Sequence, residues 1–136
     1  MAEPTQDRQT ETEKITINLG YVDLGRIDLL VQEGFYQNRS DFIRTAIRHQ
    51  LDVQAVPVAA ALTRQTLELG LCAFTRADLE AAVARGEQLA IRVVGLARIA
   101  PDVTPDLARA AIGSLTVLGA LQASPAVRAA LADRLT

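Results

Sequence analysis

The sequence predicts an α+β chain in two parts: a β-α-α segment too small to stand without a partner chain, then a small α/β repeat domain of short parallel strands and helices. Three observations carry this. A six-residue run, KITINL at residues 14–19, alternates strictly between apolar and polar and precedes two short amphipathic patterns. From residue 62 onward, apolar runs alternate with well-capped helix starts. A weak internal repeat also links Gly95, Pro101 and Val103 to Gly119, Pro125 and Val127 at a constant offset of 24.

Residues 1–13 are rich in Glu, Gln, Thr and Asp without periodicity and read as a disordered acidic arm. In residues 14–19, Ile15, Ile17 and Leu19 fall on one face of a strand, and Lys14, Thr16 and Asn18 on the other. A helix is expected over residues 24–33, with Asp23 as its N-cap, Gly34 just past its end, and Leu24, Ile27, Leu30 and Val31 on one stripe. After a loop over residues 35–39, Ser40 is the expected cap of a second helix that runs to about residue 53. Asp41 sits in its first turn, and Phe42, Ile43, Ala46, Ile47 and Leu51 form its apolar side. A strand and two short helices bury too little surface to stand alone. Without a disulfide or a metal, residues 14–53 require a partner chain, so homodimerisation is expected.

Residues 54–61 read as a linker or an irregular helix extension, broken by Pro57. The domain at 62–136 is built from expected strands at 69–74, 90–99 and 115–121, with a degenerate first repeat at 70–74 that is one residue out of step. Its helices start at Thr75 with Asp78, Thr104 with Pro105, and Ser124 with Pro125, and Gly86 ends the first of them. Strands alternating with helices imply right-handed crossovers and a parallel sheet, a minimal solenoid of three units. Arg92, Arg98, Arg109 and Arg128 read as solvated or salt-bridging residues. Few charges guard the sheet edges, so this domain is expected to promote higher oligomers.

Composition narrows the function classes. Of 136 residues, 49% are hydrophobic but only 4% aromatic, so the core is aliphatic. One cysteine, Cys72, and one histidine, His49, provide neither a disulfide nor a zinc site, and no cofactor is expected. The N-terminus lacks the basic and apolar regions of a signal peptide, and no apolar run is long enough to span a bilayer. A cytoplasmic protein without a membrane partner is expected. No Cys/His pair, glycine-rich phosphate loop or carboxylate cluster suggests catalysis, so an enzyme is not expected. A net charge of −2 runs against nucleic-acid binding, so that function must rest on local geometry.

The stretches KITINL, VDLGRIDLLVQEGFY and QNRSDFIRTAIRHQL together resemble the ribbon-helix-helix family of Arc/MetJ/CopG-like DNA-binding proteins, over about residues 14–53. The resemblance implies that two strands, one per chain, pair into an antiparallel ribbon that enters the major groove of double-stranded DNA. Lys14, Thr16 and Asn18 would then read base edges, which suits their donor and acceptor chemistry. Asn38, Arg39 and Ser40 would hold a backbone phosphate at the start of the second helix, where free amides attract anions irrespective of net charge. The family usually carries a stronger base at the position of Asn18. The function implied is a nucleoid-associated transcriptional regulator acting as a repressor. Alternatives are an antitoxin whose C-terminal part wraps a toxin, and an architectural protein coating DNA with little specificity.

Overall fold

The computed structural model describes residues 12–136, and the expected acidic arm lies outside them up to residue 11. The chain forms two compact units, divided at Ala59/Ala60.

In the N-terminal unit, residues 12–20 carry no regular secondary structure, and helix α1 spans Tyr21–Gln32. This helix starts earlier than the sequence predicts. Gly20 rather than Asp23 is the N-cap, and Asp23 lies inside the first turn, where its charge complements the helix dipole. The end is as expected. Gly34 adopts φ 88°, and the N–H groups of Gly34 and Phe35 close onto the carbonyls of Val31 and Leu30. Helix α2 covers Arg39–Val53, and its N-cap is Asn38 where Ser40 was expected. Asn38 wins because its longer side chain reaches the Asp41 N–H at 2.8 Å, while the Asp41 carboxylate accepts from the Gln37 N–H at 3.0 Å. Ser40 becomes a first-turn residue.

Helix α3, Ala55–Gln65, occupies most of the segment expected to be a linker. Pro57 is its third residue, and in the first turn a proline removes no intrahelical hydrogen bond.

The C-terminal unit contains strands β1 (Glu68–Phe74), β2 (Leu89–Ile99) and β3 (Ile112–Gln122), and helices α4 (Arg76–Ala84), α5 (Pro105–Ala111) and α6 (Pro125–Ala130). The strands form one parallel sheet in the order β1-β2-β3. Each helix has the cap predicted for it. Thr75 and Asp78 make a complete capping box, while Thr104 and Ser124 accept from the N–H groups of Leu107 and Val127 ahead of N1 prolines. Leu79 and Ala82 of α4, Ala108 and Ala111 of α5 and Val127 of α6 share one buried cluster with Ile91, Val93, Ile99 and Leu115 of the strands. The repeat is visible in the register: Gly70 lies beside Gly95, and Gly95 beside Gly119. All three have positive φ, at 127°, 135° and 118°. A Cβ on Gly95 would stand 2.2 Å from the Gly70 carbonyl oxygen, and one on Gly119 would stand 2.1 Å from that of Gly95. Only glycine allows the three strands to bend in the same place and still pair.

The chain end pairs with the start of β3. Leu115 donates to the Arg134 carbonyl at 3.0 Å and accepts from the Thr136 N–H at 2.9 Å. The four arginines singled out in the sequence all have partners. Arg109 pairs with Asp133 at 2.8 Å, Arg92 donates to the Gln65 carbonyl, Arg98 to the Gln122 side chain, and Arg128 to the Leu121 carbonyl.

Candidate nucleic-acid interface

The predicted site residues all fall in the N-terminal unit, in two groups. Lys14, Thr16 and Asn18 lie in the extended approach to α1 and are exposed. Their apolar neighbours are exposed as well: Ile15 is 72%, Ile17 56% and Leu19 41% accessible. The alternation is present without a strand, because a strand needs a hydrogen-bonded neighbour and the single chain offers none to these residues. An open groove of about 1130 Å³ lies beside this segment, floored by Ile27, Leu30, Phe42, Ile43, Ala46 and Ile47. Ile27, at 6% exposure, is the one buried side chain among the described residues of this unit. Tyr36 packs edge-on against Phe42 with ring centroids 5.0 Å apart, which fixes the α1–α2 turn.

The second group is at the N-terminus of α2. Asn38 uses its side-chain oxygen as the cap, so the Asp41 amide is satisfied. The Arg39 and Ser40 amides ahead of it have no acceptor among the described residues, leaving two donors pointing off the helix end. The Arg39 guanidinium makes a two-pronged ion pair with Asp28 of α1, both bonds at 2.8 Å. Hydrogen bonding to Arg39 holds the Asp28 carboxyl below its ordinary range, and Asp28 in turn raises Arg39. Sequence reasoning singled out Arg39 as a phosphate contact and gave Asp28, its partner here, no role. The two are 11 positions apart, near the end of α1 and at the start of α2, and only the fold of the turn between them brings them together.

The site thus offers an exposed polar row, an apolar row above an unfilled groove, and a helix end with two free amides beside an arginine. Among the described residues, no cluster of His, Cys, Asp or Glu is placed to hold a metal, and no helix is long and apolar enough to cross a membrane.

Residues 10–128 match the ribbon-helix-helix transcriptional regulator family. The match extends beyond the N-terminal resemblance and takes in the repeat unit as far as the middle of its last helix. No curated protein and no solved structure matches the chain at a significant level.

Proposed function

Since the chain belongs to the ribbon-helix-helix transcriptional regulator family, whose members bind DNA and typically dimerise, we propose that it is a transcriptional repressor working as a homodimer. The observation that carries this reading is the open groove of the N-terminal unit with the alternating segment exposed beside it. Two copies pair residues 14–19 antiparallel. Ile15, Ile17 and Leu19 then turn onto the apolar grooves, while Lys14, Thr16 and Asn18 face out as a two-stranded ribbon. The ribbon enters the major groove, where lysine donates to guanine, asparagine pairs with adenine and threonine meets either an edge atom or a thymine methyl. The Arg39 and Ser40 amides, with Asn38 shaping the turn and the Arg39 guanidinium swinging over from Asp28, bind a flanking phosphate on each side. This accommodates a net charge of −2, because amides and helix dipoles act locally.

The C-terminal unit joins such dimers into larger assemblies on DNA, giving several weak half-site contacts a combined specificity. Its own buried core favours a regulator over an antitoxin, whose toxin-binding tail is expected to order only on binding. The setting is the cytoplasmic nucleoid.

The test is DNA binding at two salt concentrations, on genomic fragments that include the protein's own promoter. Lys14→Ala, Asn18→Ala and Arg39→Ala are each expected to weaken binding about tenfold, equivalent to ~1.4 kcal/mol. Lys14→Ala should also flatten the salt dependence. Unchanged binding by all three, with the dimer intact, refutes the groove-reading ribbon, and binding without sequence preference favours the architectural reading.

A further inference from the structure

The parallel sheet of the C-terminal unit has its helices packed into a single core, and the strand side chains divide around it. In β2, Ile91, Val93, Ala97 and Ile99 belong to that core. Leu96 is only 9% exposed yet lies outside it. The register explains why, since Leu96 stands between Leu71 and Ala120, and the adjoining row is Leu69, Val94 and Leu118. These six residues form a continuous aliphatic patch on the face away from the helices. Leu69, Leu71 and Leu118 remain 68%, 49% and 55% exposed. The next rows in either direction are polar. Arg92 and Thr116 lie at one end, Arg98 and Gln122 at the other, and both arginines are already engaged within the unit. An apolar centre with a polar rim is the layout of a protein interface. All-parallel sheets are otherwise found with both faces covered.

We propose that this face packs against the same face of a second copy of the chain. The patch is two rows deep and three strands wide, roughly 14 Å each way and about 200 Å² in area. A free partner needs about 800 Å² on its side for a stable complex, so the patch is too small to hold one. A second copy comes already tethered, because dimerisation of the N-terminal units brings C-terminal units together at high effective concentration, and there a small interface suffices. The six residues of the patch are all uncharged, so its centre meets a second copy without burying a charge, and Arg92 and Arg98 stay at the rim. The proposal rests on the homodimer reading above, which supplies the tether, and it pairs the two C-terminal units of one dimer; joining dimers into larger assemblies needs a further surface.

The experiment uses the full chain with Cys72 replaced by alanine and a nitroxide at Ser114→Cys, exposed on the same strand face but outside the patch, or at Ala129→Cys on the exposed side of α6 as control. Distances between copies are read by pulsed electron resonance. Packed sheets lie about 10 Å apart, so Ser114 labels should fall within ~30 Å of each other. Adding Leu118→Glu should abolish that short distance while circular dichroism stays unchanged, and Ala129 labels should stay farther apart throughout. Ser114 distances no shorter than those from Ala129 overturn the proposal. So do short distances that survive Leu118→Glu, which would place the open β1 edges together instead. Sedimentation of the same samples reports separately on whether dimers join into larger assemblies. The shared face and the assembly reading can therefore fail independently.

Discussion

The two units solve the problem of burial in opposite ways. The C-terminal unit contains every buried side chain of the described residues except Ile27, and all of these but Leu96 pack between one sheet and three short helices. The N-terminal unit has longer helices, yet leaves Ile15, Ile17, Phe35 and Ile47 exposed and an apolar groove unfilled. Good local structure does not make a stable unit. The first has a core within its own chain, and the second must borrow one. This asymmetry suits a regulator, because coupling the N-terminal fold to dimerisation makes DNA binding depend on protein concentration.

The contrast is broken most severely by Gly95→Val. The new side chain would meet the Gly70 carbonyl and force an unfavourable φ at the same time. The cost to the C-terminal unit is expected to exceed ~3 kcal/mol, so that its transition in urea or heat disappears. DNA binding by a single N-terminal dimer should survive within a few-fold. Simultaneous loss of both would show that the units fold as one.

Ile43→Asp probes the other side. A carboxylate in the groove is expected to reduce dimerisation and DNA binding at least a hundredfold, ~2.7 kcal/mol, while the C-terminal melting transition stays in place. Sedimentation equilibrium and calorimetry on one sample measure both effects.

Acid sharpens the comparison at the smallest scale. Asp28 in the N-terminal unit has its pKa lowered by its bond to Arg39. In the C-terminal unit, Asp78 is lowered by hydrogen bonds from Thr75, and Asp133 by its bond to Arg109. A carboxyl with a lowered folded pKa contributes stability that is fully present above its unfolded pKa and lost as pH falls through the folded value. Both units should therefore weaken below the ordinary aspartate range, the C-terminal one more, since two of these carboxyls are there. Asp78→Asn with Asp133→Asn should flatten its acid dependence, and Asp28→Asn should do so for the N-terminal unit. Melting temperatures between pH 6 and 3 are the check. At neutral pH, Asp28→Asn should also tighten DNA binding a few-fold by releasing Arg39 toward phosphate.

Much of this was legible before any coordinates. The three strands, the caps at Thr75, Thr104 and Ser124, the stop at Gly86 and the glycine repeat follow from residue chemistry that acts over a few positions. The misfit of the degenerate first repeat was equally readable but needed the register to interpret. Gly70 pairs with Gly95 at an offset of 25 and Gly95 with Gly119 at 24, and the crossover through α4 absorbs the difference. Near-ties went the other way. Asn38 and Ser40 are both good caps, as Asp23 and Gly20 are both plausible starts, and a shift of two or three residues costs too little for local rules to decide. Pro57 marked a break where the helix tolerates it in the first turn.

Sequence patterning alone determined the three strands and three helices of the C-terminal unit and the two helices at 21–32 and 39–53, to within a few residues, while residues 14–19 are without a strand and 55–65 form a helix. Local patterning contains that information, since capping, alternation and burial deficit are properties of neighbouring residues. Only the tertiary structure decided that Asp28 would hold Arg39, that three glycines would stack across three strands, and that Leu96 would look away from the core into an aliphatic face. Each of these joins residues distant in the chain, and their proximity is set by how the elements pack rather than by any preference of the residues themselves.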